Sequence, residues 1–477
     1  MTGSLAGLLF ANALYLALGV ALLPLLRVAR TQDAIWSGLG LAYMLGVAAV
    51  GIVAAHLALI GVPMGLTELV VIALALGIAA WRRARRLGPR PRTRLRKRGS
   101  ETVIGVAAFA VALVLLAHAL HAFLVRPLVE WDGWAIWAMK ARALYDFGGV
   151  AHGVFTTQPY GPLQHPLLLP ALEATGFRSM GAFDGTMIHV QLALLAFGFA
   201  AALWTLLRPR IPAAFAGAAI LAIVAAESTL QQLASNLADI PLAFFVALGV
   251  VALACALVDD EANLLPFAAV VLGAATLTKP EGLLYAVAAL IPFVAIARTR
   301  ASLLTAAAVA LILLPWRIFT SVHGLENPEY SFGDALDPRY LADRSERLRP
   351  ALDGVWHQVW SSGWGWLVPV ALLALASALL AARWRLAGFA TAWALLSFAG
   401  IVLVFWISVV PIELTLKWAA YRTVASLVLG AASLAPLLAG EAWRVSAEDA
   451  RTSRTRASSS PSASSGPTAT PTGAARP

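Results

Sequence analysis

The chain has a single cysteine, Cys255, so no disulfide can form within it and paired-thiol redox chemistry is excluded. Charge is equally scarce. Only 13% of the 477 residues are Asp, Glu, Lys or Arg, against 60% apolar, which is too little charge to cover a soluble surface. There is no Walker loop, no Rossmann fingerprint, no Gly-x-Ser-x-Gly elbow and no His/Cys cluster with metal spacing. ATP use, dinucleotide binding and serine-hydrolase chemistry therefore have no support. The formal net charge of +10 would suggest nucleic acid in a soluble protein, but the excess is local. Residues 82–98 hold ten basic residues and no acid, and residues 444–477 hold five basic and two acidic. No nucleic-acid partner is expected.

What is present is long apolar segments. Hydropathy predicts an all-α polytopic membrane protein with about thirteen spans, near 4–26, 35–60, 63–81, 102–125, 186–207, 211–230, 240–257, 263–277, 283–297, 301–320, 364–382, 386–407 and 424–440. The first is read as a retained span, because no basic residue precedes it and no small-residue cleavage pattern follows. Placing the basic loop 82–98 in the cytoplasm sets every other loop by alternation. Arg27 and Arg30, Arg208 and Arg210, Arg298 and Arg300, Arg383 and Arg385, and the Arg-rich tail then also fall inside. This predicts an inner-membrane protein of the cell envelope with its N-terminus outside and C-terminus in the cytoplasm. The organisation read from the chain is three accessory helices (1–81), the basic loop (82–101), a catalytic membrane domain (102–440) and a disordered cytoplasmic tail (441–477). Loops 126–185 and 321–363 become extracytoplasmic, and loops of this length usually have a function.

The outward residues carry the chemistry. Glu130 and Asp132 stand one residue apart among Trp131, Trp134 and Trp137, directly after a span. Asp132 reads as an N-cap of an amphipathic surface helix with Trp137, Lys140 and Leu144 on one face and Arg142/Asp146 paired at i, i+4. A cap followed by an interfacial aromatic belt explains these residues without function; a general base at a cavity rim explains them with it. A proline-rich turn over 158–170 carries Tyr160 and His165, and a histidine there can bind phosphate or merely bond nearby backbone. Asp239, Lys279 and Glu281 lie at outward helix ends, where ionisable groups are costly unless partnered. They form either an ordinary ion pair or, with Lys417 and Arg422, a cationic pocket for an anionic headgroup. No nucleotide sugar is expected outside, so an activated donor would arrive in the lipid.

In order and sidedness these segments resemble GT-C type glycosyltransferases, the group that includes aminoarabinose transferases and protein O-mannosyltransferases. Glu130 and Asp132 match the acids of the family's first outward loop, and surface helices are expected near 134–147 and 163–177. Residues 160–167 resemble its Tyr-to-Pro-Leu turn, Leu237-Ala238-Asp239-Ile240-Pro241-Leu242 its Tyr-Ala-Asp-x-Pro-Leu pattern, 278–282 its Thr-Lys-x-Glu-Gly pattern, and Arg422 its late outward arginine. His165 departs from the lysine that many relatives carry before the proline turn. The likeness spans about 102–440.

The resemblance implies an inverting transferase that takes a sugar from a polyprenyl-phosphate donor and passes it to a glycan, lipid or protein acceptor outside the membrane. Asp132, with Glu130, is the implied base; Lys279, Arg422 and His165 hold the leaving phosphate. Asp239, Glu281, Tyr160 and Lys140 complete the expected substrate contacts. Acceptor recognition is expected from 321–363 and the surface helices. No cofactor is certain, although a divalent metal such as Mg or Mn on Asp132, Glu130 or Asp239 is an open alternative. So is a flippase that binds the same headgroup without cutting a bond.

Overall fold

A computed structural model describes residues 2–88, 99–125, 127–157, 162–331 and 333–458. Among the described residues the fold is all α. Eight of the described helices are long and apolar enough to cross a membrane, or ten spans result if each of two bent pairs counts as one. Each segment expected to cross forms a helix, but not each forms a full span. The segment expected over 211–230 bends by 59° between Ala213–Ala225 and Glu227–Leu233. Leu265–Thr278 and Glu281–Ala297 have 14 and 17 residues, which at 1.5 Å per residue is roughly 21 and 26 Å against a ~30 Å hydrocarbon core.

The bundle is built around Asp239–Asp259, which is buried from Asp239 to Leu257. Ala425–Ser458, Leu265–Thr278 and Gly185–Leu207 pack around it. Ser100–Phe123 and Arg300–Val322 are largely exposed on the outer flanks, consistent with faces that apolar side chains can leave to lipid. The N-terminal helices are tied into this bundle: Leu39–Leu59 packs on Gly185–Leu207, Leu168–Met180 and Leu265–Thr278.

The first long loop lies at one end of the bundle. Its Val150 N–H donates to Ala58 O at 3.1 Å, at the end where helix Leu39–Leu59 stops and Leu66–Ala84 is about to begin. Arg82 and Arg83 occupy the last turn of Leu66–Ala84, at its opposite end. Composition predicts a disordered tail from 441, yet the last helix, Ala425–Ser458, continues past it. Glu441, nearly buried, explains part of that extension: it accepts from Arg383 at 2.7 Å and Arg444 at 2.6 Å.

Candidate functional site

Local sequence places each charged group. Pro280 disfavours the helical region for the residue before it, so the helix ends at Thr278 and Lys279 is fully extended, φ −156° and ψ 153°. The next helix starts at Glu281, and Gly282 lets the two backbones close up, since a Cβ there would meet Ala275 O at 1.9 Å. Lys279 is thereby aimed at the first residue of the central helix: its Nζ lies 2.7 Å from Asp239 Oδ1 and 3.2 Å from Glu281 Oε1. Asp239 is 3% exposed, so this pair is desolvated. Burial alone would lower the Lys279 ammonium, but the Asp239 and Glu281 carboxylates outweigh it and hold it above its ordinary value.

Asp132 forms an ion pair with Arg422. It is no N-cap: its backbone is already helical and its side chain accepts nothing from the following turn. A carboxylate offered both an N-cap and a guanidinium gains more from the charge-assisted contact. Both partners adjoin π-helical turns, Gly133–Ala138 after Asp132 and Leu416–Ala420 shortly before Arg422. Such turns widen a helix locally and recur at functional sites; the 3.6-residue periodicity used to read the sequence does not reveal them.

These groups share one cavity of about 860 Å3 at the loop end of the bundle, lined among others by Glu130, Asp132, His165, Lys279, Glu281 and Arg422. Asp239 sits behind Lys279. The second long loop contributes Asn327, Glu329 and Tyr330, and Gln164 Nε2 donates to Asn327 Oδ1 at 3.2 Å across the two loops. Sequence reading assigned that loop to the acceptor but singled out none of these residues; their signal was only their polarity within a long outward segment. Lys417 lines the cavity, with Trp131, Trp418 and Tyr421 exposed at its edge.

Lys140 does not line the cavity. Its buried Nζ donates to the carbonyls of Pro162 at 3.0 Å, Leu163 at 3.4 Å and His165 at 3.1 Å. The ammonium thus pins the turn that presents His165 instead of meeting substrate, and burial lowers it to about 7. Trp137 and Leu144 are buried with it, as the amphipathic pattern predicts, and Arg142 pairs with Asp146 at 3.5 Å. The second surface helix runs Leu168–Met180, starting five residues later than expected. His165 packs edge-on against Trp137 at 5.2 Å. Burial, then the charges of Lys140, Lys279 and Arg422, hold its imidazole well below its ordinary value. It is neutral in the cavity, so it offers a hydrogen bond and not a cation. Tyr160 lies outside the described residues.

Among the described residues no three His, Cys, Asp or Glu side chains gather to hold a metal ion. Asp132 and Asp239, two of the three acids considered as ligands, each face a cation instead.

The described residues thus form an all-α membrane bundle with an acid-and-cation cavity at one end. Residues 164–320, about a third of the chain, match the family model of the dolichyl-phosphate-mannose-protein mannosyltransferases, which bears out the resemblance to GT-C type glycosyltransferases. The matched stretch contains His165, Asp239, Lys279 and Glu281 but not Asp132 or Arg422. No curated protein and no solved structure matches the chain.

Proposed function

We propose that the protein transfers a sugar from a polyprenyl-phosphate donor to an acceptor hydroxyl on the extracytoplasmic side, with inversion at the anomeric carbon. The observation that carries this reading is the meeting of Asp132 with Arg422 in the cavity that also holds Lys279. Asp132 takes the proton of the acceptor hydroxyl, the oxygen attacks the anomeric carbon, and the bond from that carbon to the phosphate oxygen breaks. Polyprenyl phosphate leaves with the bonding pair, and Lys279 and Arg422 stabilise its developing charge. His165, neutral, adds a hydrogen bond. The arginines of 82–86 support that side: they lie at the opposite helix end from the first long loop, and such clusters favour the cytoplasmic face.

The test is transfer by the reconstituted protein from labelled polyprenyl-phosphate sugars to candidate acceptors, wild type against Asp132→Asn. A positioned base is worth ~10²–10⁴-fold, and a loss in that range is expected. Full transfer by the folded variant rejects the base assignment. Headgroup movement across the bilayer without bond cleavage rejects the transferase reading in favour of a flippase.

A further inference from the structure

Glu173 takes no part in the chemistry above, yet it is one of the most buried ionisable groups in the protein. It lies on Leu168–Met180, 3% exposed, and neither carboxyl oxygen has a partner within 3.5 Å, the Asn236 side chain being the one close enough to act on it. The small cavity beside it, about 10 Å3, is lined by apolar side chains, Gly176 and Gln191, with no cation. An ionised carboxylate has nothing to pair with there.

Its polar neighbour is Asn236, fully buried. Asn236 holds a left-handed backbone, φ 51°, which asparagine tolerates better than most residues. That conformation turns its amide so that Nδ2 donates to Gly133 O at 3.1 Å, leaving Oδ1 buried and without a partner. Gly133 directly follows Asp132. The fit behind it is close: a Cβ on Gly133 would meet Ser235 O at 2.5 Å. The turn over 235–236 therefore forms the backing against which the acid's segment rests.

Three buried acceptor oxygens, two on Glu173 and one on Asn236, are thus left without a donor. One proton pairs two of the three and removes the buried charge. We propose that Glu173 is carried as the neutral acid and donates to Asn236 Oδ1, so that Glu173, Asn236 and Gly133 form a buried strut that positions Asp132. Glu173 is a positioning residue in this scheme, acting through Asn236 and the Gly133 carbonyl and never touching substrate. Burial pushes its carboxyl up to about 8, with Asn236 the one side chain opposing that shift. The proposal rests on the reading of Asp132 as the base.

Two variants and one spectrum test it. Glu173→Gln keeps a neutral donor and should retain transfer within a few fold. Glu173→Leu removes the donor and should lower kcat by about 10²-fold, the scale of a small misplacement of a catalytic group, with KM for the donor little changed. Infrared spectroscopy of the wild type should show a protonated-carboxyl band that Glu173→Gln lacks, a readout that does not require Glu173→Leu to fold. Glu173→Gln as impaired as Glu173→Leu, wild-type kcat in Glu173→Leu, or no band assignable to Glu173 would each overturn the proposal. Asp132→Asn is measured in parallel: if that variant transfers fully, the base assignment is what fails, while the infrared band still decides the state of Glu173.

Discussion

Replacing Lys279 by methionine removes the cation held 2.7 Å from Asp239 and 3.2 Å from Glu281. Glu281 keeps some contact with solvent, but Asp239 at 3% exposure does not, so the variant buries an almost unpaired carboxylate. Breaking a buried pair from one side costs about 3–5 kcal/mol. The remaining attraction of Asp239 to Arg422 places the expected loss at the lower end of that range. A second variant, Lys279→Met/Asp239→Leu, removes both charges and substitutes apolar volume. Most of the lost stability should return, because replacing a whole buried pair is often neutral or better. Transfer should not return in either variant, since one electrostatic donor to a developing oxyanion is worth about 10²–10³-fold in kcat. The assays are thermal and denaturant unfolding in nanodiscs and initial transfer rates on the same preparations. A single-variant loss below about 1 kcal/mol would refute the desolvation argument. Recovery of transfer by the double variant would refute the role of Lys279 at the leaving phosphate.

Two further outcomes follow from the same geometry. Gly133→Ala must push the Asp132 segment away from Ser235 O, so its kcat should fall by about 10²-fold while KM for the donor moves little; an unchanged kcat would show that the segment is not held there. Lys140 has a folded value near 7 against about 10.4 in the unfolded chain. Between those values the unfolded chain binds a proton that the folded one does not, so stability should rise with pH across that window. Lys140→Met should remove this slope in unfolding experiments, and a slope unaltered by the substitution would contradict the burial of the ammonium.

Much of the architecture was legible in the order of residues. Apolar runs announce helices because a backbone in lipid must satisfy its own hydrogen bonds, and local hydropathy is enough to find them. The bends were not legible, since Ala213–Ala225 and Glu227–Leu233 read as one apolar segment, whereas their 59° angle falls at Ala226, whose backbone leaves the helical region at φ −62° and ψ 127°. The break at Thr-Lys-Pro-Glu-Gly was legible because proline and glycine act on their own backbone. Lys140 reads as a substrate contact only through the resemblance, and the three carbonyls folded over it reveal its other task. Asp132 was read as a cap because caps are local, whereas its true partner is Arg422, some 290 residues away in the chain.

By itself, then, the sequence determined that this chain is a helical membrane protein, which end of it carries charge, and which few polar residues belong to the other end. Those properties follow from composition and short-range backbone rules. Only the tertiary structure decided how those few charges pair: Lys279 with Asp239 and Glu281, Arg422 with Asp132, and Glu173 behind Asn236 with no cation beside it. Pairing is decided by distance and desolvation, and neither exists until distant segments have packed.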